Sequence, residues 1–138
     1  MNSRLLNILL VEDDEVDVMN VQRAFQIHHI SNPLSVARNG VEALDMLRRG
    51  DVPAERRMVL LDLNMPMMNG LEFLRELRSD PQLSRTPVVV LTTSADDRDR
   101  MEAYDLHVAG YLVKPVTFAS FADLMVRLDK YWTVIELP

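Results

Sequence analysis

Hydrophobic positions along the chain fall into five short apolar runs, which alternate with longer segments whose apolar residues recur every three or four positions. The runs are Ile8–Val11, Leu34–Ala37, Met58–Leu61, Val88–Leu91 and Tyr111–Val113. The first, third and fourth runs are continuously apolar and rich in Val, Ile or Leu, a composition typical of strands that are covered on both faces. The runs therefore predict five strands of a parallel sheet.

Helical spacing predicts a helix after each run. The first helix begins near Glu15 and turns Val18, Val21 and Phe25 toward the core, with Met19 at the margin of that face. The faces predicted for the next three helices are Val41, Ala43, Leu44 and Leu47; Leu71, Phe73, Leu74 and Leu77; and Met101, Tyr104 and Leu106. The fifth helix is predicted at residues 118–130. Five strand–helix repeats indicate an α/β fold with three layers, in which helices cover both faces of the sheet.

The chain has 138 residues, no cysteine and a formal net charge of −6. This length fits one domain, predicted at residues 1–130, followed by an apolar tail at residues 131–138. The lack of cysteine excludes disulfides and thiolate metal sites, and an acidic chain without a basic stripe is a poor ligand for nucleic acid or an anionic membrane. The apolar run that stops before Glu12 is too short for a signal peptide or a membrane span, so we expect a cytoplasmic protein.

Polar residues stand where the predicted strands end. Glu12 and Asp13 follow the first run, Asp62 follows the third, Thr92 follows the fourth and Lys114 follows the fifth. Because the carboxyl ends of parallel strands share one edge of a sheet, where ligands bind, we expect these side chains to converge on one cleft. Taken singly, each has an ordinary structural interpretation as a helix cap, a turn residue, a strand residue or a surface lysine.

Several carboxylates in one cleft repel one another, and a hard cation removes that repulsion. Mg²⁺ prefers oxygen ligands, so we predict Asp13 and Asp62 as direct ligands and Glu12 as a ligand that binds directly or through water. The backbone carbonyl of Asn64, two residues after Asp62, can reach the same ion. The residue types therefore predict a magnesium site at this edge.

The same cleft has the groups that phosphoryl transfer requires. A carboxylate such as Asp62 can act as the nucleophile and form an aspartyl phosphate. The Lys114 ammonium would neutralise charge on the phosphoryl oxygens, and the Thr92 hydroxyl would donate to another of them. The chain contains no GxxxxGK[ST] or GxGxxG motif, so neither a P-loop nor a dinucleotide site is predicted.

Four segments resemble the motifs of receiver domains of two-component response regulators. They are Leu9–Asp14, Leu61–Gly70, Leu91–Thr93 and Lys114–Pro115, in the order of that family, and the resemblance covers roughly residues 6–130. The second segment, which runs from the aspartate to the glycine, is the most specific. The resemblance implies a flavodoxin-like (βα)5 fold with a five-stranded parallel sheet in the order 2-1-3-4-5.

The resemblance also implies a role for each matching residue. Asp62 would be the phosphoacceptor, and Glu12 and Asp13 would be the acidic pair that holds Mg²⁺. Thr92 would be the switch hydroxyl, Lys114 the phosphate-binding lysine and Tyr111 the switch aromatic. The phosphodonor would be a sensor histidine kinase, and the output would pass to a downstream protein or a histidine phosphotransfer domain. Two positions depart from the commonest pattern, since Glu12 replaces an Asp and Thr93 stands where many members have Ala or Gly.

The tail after the last predicted helix is rich in apolar groups, including Tyr131 and Trp132, as interface segments often are. A second resemblance, carried by Tyr104–Val108 and Tyr131–Trp132, is to single-domain regulators paired with phytochrome-type histidine kinases, which often dimerise. We therefore predict a homodimer whose interface includes Tyr131 and Trp132. The alternative is that Trp132 packs against its own domain.

Two other functions stay open from the residues alone. An aspartate-nucleophile phosphohydrolase would need a second acid close after Asp62, and Asn64 stands there instead. A degenerate receiver that takes no phosphate would act as an interaction module, although the chain keeps the residues that phosphorylation requires. Because the chain ends soon after the last predicted helix, we expect protein–protein output rather than a DNA-binding or catalytic output domain.

Overall fold

The computed structural model describes residues 6–27, 29–65, 68–93, 95–113 and 123. Its elements are β1 (Asn7–Val11), α1 (Glu15–Ile27), β2 (Leu34–Ala37), α2 (Gly40–Arg49), β3 (Arg57–Leu61), α3 (Gly70–Ser79), β4 (Val88–Thr92), α4 (Asp97–Asp105) and β5 (Gly110–Val113). Neighbouring strands are parallel, and their order across the sheet is β2-β1-β3-β4-β5. The predicted fold class and strand order are confirmed, and each predicted strand agrees with the observed one to within one residue at either end.

Polar side chains set where the helices begin. The Asp14 carboxylate accepts hydrogen bonds from two backbone N–H groups in the first turn of α1, at 2.8 and 3.2 Å. Asn39 caps α2, Asp96 caps α4, and Asn69 caps α3 in a reciprocal capping box with Glu72. These caps fix the junctions between strands and helices, and the candidate site is built from the same junctions.

Side chains of the sheet alternate between two hydrophobic cores. One core contains Leu9, Val11, Val59, Leu61 and Val90, together with side chains of α2, α3 and α4. The other contains Ile8, Leu10, Met58, Leu60 and Val89, together with side chains of α1. Strands β3 and β4 are buried along their whole length because helices cover both faces of the sheet. This double coverage accounts for the continuous apolar runs in the sequence.

Four large side chains predicted on or beside the core faces are exposed instead. They are Met19, Val41, Met101 and Tyr104, with exposed fractions of 65%, 41%, 67% and 48%. In α4 the buried residue is the small Ala103, which points about 100° around the helix from Tyr104. The prediction failed there because α4 has too few apolar residues for their spacing to define a face. In α1, Met19 is turned away from the core by the same angle relative to the buried Val18.

The fifth predicted helix and the tail at residues 131–138 lie outside the described ranges, apart from Asp123. The predicted division into a domain and a tail therefore stays a prediction. Lys114, Tyr131 and Trp132 also lie outside those ranges. Among the helices that the structure describes, none combines the length and the apolar content that crossing a bilayer requires.

Two valines in the first turns of α1 provide a matched test of the core beneath that helix. Val18 is 2% exposed, and Val16 is 65% exposed. Val18→Ala removes two buried methyl groups, so we expect it to lower the free energy of unfolding by about 1.5–3 kcal/mol. Val16→Ala should change that free energy by less than about 0.5 kcal/mol. Urea denaturation measures both values, and equal losses would contradict the assigned inner face of α1.

Candidate functional site

Two backbone hydrogen bonds fix the residues that follow β1 and β3. The Glu12 N–H donates to the Ala37 carbonyl at 2.9 Å, and the Asp62 N–H donates to the Val11 carbonyl at 3.0 Å. Each acid therefore continues the parallel ladder by one residue beyond its strand. Because β1 and β3 are neighbours in the sheet, the two acids lie side by side on main chain that the ladder holds rigid.

Glu12, Asp13 and Asp62 form an acidic cluster at the carboxyl edge of the sheet. Each offers one carboxylate oxygen, and these oxygens all lie within 4.8 Å of one another. Glu12 is 2% exposed and Asp62 is 7% exposed, whereas Asp13 is more accessible. Anionic groups this close repel one another unless a cation or a proton intervenes. The donor set consists only of hard oxygen atoms, so these residues fit Mg²⁺ or a similar dication.

The adjacent main chain orients two of these carboxylates. The Asp14 N–H donates to Glu12 Oε2 at 3.3 Å, and the Asn64 N–H donates to Asp62 Oδ1 at 3.1 Å. These bonds restrict the rotamers of both acids before any ligand arrives. Asp14 itself caps α1, so its carboxylate serves the helix.

The Asn64 side chain links the loop after β3 to the end of β4. Its Nδ2 donates to Thr93 Oγ1 at 3.3 Å and makes a longer contact of 3.5 Å with Thr92 Oγ1. Thr92 is fully buried, so its hydroxyl has a defined position beside this loop. The sequence predicted only a backbone contribution from Asn64, because a side-chain bond across two loops leaves no sequence signal. The backbone carbonyl as a metal ligand stays a prediction.

Close packing of α3 supports the loop that contains Asp62. The Gly70 N–H donates to the Leu63 carbonyl at 3.0 Å. A Cβ atom on Gly70 would lie 2.5 Å from the Leu63 Cα and 2.6 Å from the Asp62 carbonyl oxygen. The first turn of α3 can approach this loop only because Gly70 has no side chain. The glycine that ends the Leu61–Gly70 motif was the sequence signal for this contact.

Tyr111, the predicted switch aromatic, lies in β5 opposite Val90 of β4 and is partly buried. The guanidinium of Arg100 in α4 lies 5.3 Å from the centre of its ring, a distance typical of a cation–π interaction. The sequence does not indicate a role for Arg100, because nothing in the spacing of α4 connects this residue with β5. Lys114, the other predicted residue from this side of the cleft, lies outside the described ranges.

Comparisons with known proteins agree with this geometry. Residues 8–126 match the family model described as Response regulator receiver domain. Probable methanogenesis regulatory protein FilR2 of Methanothrix harundinacea is 40% identical over 127 residues, which cover 91% of this chain and 82% of that protein. Response regulator Rcp1 of Synechocystis is 37% identical over 135 residues, which cover 95% of this chain and 92% of that protein.

Solved structures show the same similarity. The phosphorylated cyanobacterial phytochrome response regulator RcpA aligns with a TM-score of 0.78 and 36% identity, over 97% of this chain and 99% of that chain. The Mn(2+)-bound form of Rcp1 aligns with a TM-score of 0.76 and 36% identity, over 96% of this chain and 99% of that chain. Sequence and structure therefore point to one family over nearly the whole chain.

Gly70 and Gly110 provide a matched test of the close contact under the Asp62 loop. Gly70→Ala forces the loop and α3 apart, so we expect it to lower the free energy of unfolding by about 1–3 kcal/mol. Gly110→Ala should be tolerated, because a Val89 methyl group at 3.9 Å is the only atom that the added Cβ would meet among the described residues. Thermal unfolding of both variants measures the difference. A Gly70→Ala protein as stable as the Gly110→Ala protein would show that the loop accommodates the methyl group.

Proposed function

The chain belongs to the response regulator receiver domain family, and from that membership we propose that Asp62 accepts a phosphoryl group from a histidine kinase. Receiver domains are signalling components of two-component systems rather than enzymes in the usual sense. The observation that carries the proposal is the acidic cluster, in which an Asp62 oxygen lies within 4.8 Å of oxygens from Glu12 and Asp13. A neutral ligand would not relieve this concentration of negative charge, whereas a dication that also binds a phosphoryl group would.

Mg²⁺ is the proposed cofactor, held by Asp13, Asp62 and the Asn64 carbonyl, with Glu12 bound directly or through water. Bound there, the ion would neutralise charge on the phosphoryl oxygens during transfer. The oxygen-only donor set supports a hard cation, and the relative Rcp1 has been solved in a Mn(2+)-bound form. Two of the carboxylates already have fixed orientations, which lowers the ordering that ion binding requires.

Transfer would proceed by attack of an Asp62 carboxylate oxygen on phosphorus. An O–P bond forms, the P–N bond to the donor histidine breaks, and its electron pair returns to the imidazole nitrogen. The product is an acyl phosphate on Asp62. We assign the Thr92 hydroxyl as a hydrogen-bond donor to the transferred group and, from its sequence motif, the Lys114 ammonium as its second cationic partner.

Signalling would follow from the new contact between Thr92 and the phosphoryl group. We propose that this contact draws Thr92 toward Asp62 and changes the setting of Tyr111, which stabilises one of two pre-existing arrangements of the neighbouring surface. The burial of Thr92 beside the loop that follows Asp62, and the lateral pairing of β4 with β5, support such a coupling. The free energy for this shift comes from tighter binding of the phosphoryl group in one arrangement than in the other.

The partner assignments are proposals of the same kind. RcpA is named a phytochrome response regulator, which supports a phytochrome-type histidine kinase as the phosphodonor. The output would pass to a downstream protein or a histidine phosphotransfer domain in the cytoplasm. A homodimer interface that includes Tyr131 and Trp132, and the division at residue 130, are proposed from the sequence alone.

Asp62→Asn should abolish phosphorylation, because an amide is not a nucleophile toward phosphorus. Intact-mass spectrometry after incubation with acetyl phosphate should show one added phosphoryl group on the wild-type chain with Mg²⁺, and none with EDTA. The fold should be retained in the variant, since the substitution lies at the edge of the sheet. Labelling of Asp62→Asn at the wild-type rate would contradict the assignment of Asp62 as the phosphoacceptor. No labelling of the wild type, either from acetyl phosphate or from a histidine kinase, would favour the phosphorylation-independent interaction module.

Asp13, a proposed metal ligand, and Asp14, which caps α1, provide a matched pair of substitutions that tests the magnesium site. Asp13→Asn removes a charged ligand, and we expect Mg²⁺ affinity to fall by about tenfold or more, since even the loss of a group that only orients a ligand typically lowers metal affinity by ~10–100-fold. Asp14→Asn keeps an N-cap residue on α1 and should leave the affinity nearly unchanged. Isothermal titration with Mg²⁺ measures both. Equal losses in the two variants would mean that general charge, rather than ligation by Asp13, governs binding.

A further inference from the structure

The guanidinium of Arg78, in the last turn of α3, makes four hydrogen bonds to main-chain carbonyls. Nε donates to Leu106 at 2.7 Å and Nη2 donates to His107 at 3.1 Å, while Nη1 donates to Ser84 at 3.0 Å and to Thr86 at 2.7 Å. We refer to these bonds as the Arg78 clamp. The clamp joins the end of α3 to the loop before β4 and to the turn after α4, which lies 28 residues further along the chain. It lies at the edge of the sheet opposite the acidic cluster.

The Arg78 clamp is well suited to hold the end of a helix. The carbonyls at the C-terminal end of α4 form the negative end of its dipole. Those of Glu102, Ala103 and Tyr104 accept from N–H groups of residues 106–108, and Arg78 binds two carbonyls in the turn that follows the helix. A guanidinium supplies a positive charge and several N–H donors in one rigid plane. His107 has a φ of +61°, a left-handed conformation that is uncommon for a residue with a side chain. The hydrogen bond from Arg78 to the His107 carbonyl helps to hold this turn.

Within the part of the chain that the structure describes, α4 itself has little apolar packing, although Leu106 and Val108 just beyond its end pack against the core. Helices α1, α2 and α3 each bury four residues, whereas α4 buries only Ala103. The ion pair between Arg75 and Glu102, at 2.7 Å, joins side chains that are 55% and 40% exposed and therefore contributes little. Apolar burial thus fixes α4 weakly, and polar contacts decide which part of it can move.

The two ends of α4 differ in their connection to the candidate site. At the N-terminal end, only residues 93–96 separate α4 from Thr92, the last residue of β4. At the C-terminal end, the chain leaves the Arg78 clamp and leads directly to β5. The Ala109 N–H, one residue before that strand, donates to the Val88 carbonyl at 2.7 Å. A displacement of Thr92 would therefore reach the first turn of α4 directly, while the last turn is tied to α3 and to the sheet.

We propose that Arg78 makes the C-terminal end of α4 a fixed pivot, so that phosphorylation of Asp62 displaces only the N-terminal part of the helix. This proposal rests on the proposed function of Asp62 and specifies how the signal is confined. The moving part would include Arg100, whose guanidinium lies over Tyr111, and Met101, which is 67% exposed. Leu106 and His107 would keep their places. Arg78 acts as a positioning residue, since it contacts neither the acidic cluster nor a phosphoryl group.

Amide hydrogen exchange, with and without acetyl phosphate in Mg²⁺, tests this proposal. The variants are Arg78→Met, which removes the Arg78 clamp, and Arg78→Lys, which keeps the charge without the planar fork. Arg75→Met is the matched control, because Arg75 lies one turn earlier on α3 and forms an exposed ion pair with Glu102 of the same α4 helix. The readout is the change in exchange caused by phosphorylation. If Arg78 had a purely structural role, its loss would alter amide exchange equally in the phosphorylated and the unphosphorylated protein. The change in exchange caused by phosphorylation would then be the same as in the wild type.

In the wild type and in Arg75→Met, phosphorylation should change exchange at residues 95–101 and leave residues 103–109 within about twofold. In Arg78→Met the change should extend through residues 103–109 by about tenfold, with Arg78→Lys between the two, as expected when a protected segment joins a local opening. If Arg78→Met does not fold, Arg78→Lys gives the same comparison at smaller amplitude. A change that stays confined to residues 95–101 in both Arg78 variants, or that already spans α4 in the wild type, would overturn the pivot. Intact mass of each sample separates this failure from a failure of Asp62 to accept phosphate, which would remove both proposals.

Discussion

The mutual repulsion of three carboxylates is the constraint on which the rest of the structure depends. Two unit charges about 4 Å apart repel by roughly 1 kcal/mol in water and by roughly 4 kcal/mol at the effective dielectric constant of a protein surface. Oxygens of Glu12, Asp13 and Asp62 all lie within 4.8 Å of one another, and Glu12 and Asp62 are nearly inaccessible to water. Flexible loops would relax such an arrangement. The parallel ladder prevents this, because the residues after β1 and β3 are hydrogen-bonded to neighbouring strands, and β1 and β3 are themselves buried along nearly their whole length.

The remaining features of the site follow from holding this cluster at one edge. Gly70 lets α3 approach the Asp62 loop, and the Asn64 amide joins that loop to the hydroxyls at the end of β4. The opposite edge is held differently, since Arg78 joins α3, the loop before β4 and the end of α4 through main-chain carbonyls. The protein therefore has a rigid charged edge, a weakly packed helix beside it, and a polar anchor at the far end of that helix. This distribution of rigidity suits a switch, because a local change of charge can displace one part of the surface while the sheet stays intact.

Most of the fold is predictable from the sequence, for a physical reason. Strands covered on both faces need continuous apolar runs, and β1, β3 and β4 have them, so their positions and parallel pairing follow from the pattern. The acidic cluster is predictable as well, because parallel strands end at one edge. The face of α4 is not, since a helix held by polar contacts and one alanine leaves no apolar periodicity. The Arg78 clamp is hidden for a similar reason, because its acceptors are carbonyls, which every residue possesses. The assignments at Lys114, Tyr131 and Trp132 stay predictions.

Thermal unfolding of the wild type and Asp62→Asn, in EDTA and in excess Mg²⁺, tests most directly whether the acidic cluster is a strained cation site. If the carboxylates are held against their repulsion, Asp62→Asn should be the more stable protein in EDTA, because it removes one of the charges. Mg²⁺ should then raise the Tm of the wild type more than that of the variant, since a ligand stabilises the folded state according to its affinity. A variant no more stable than the wild type in EDTA, with neither protein stabilised by Mg²⁺, would contradict this account of the site.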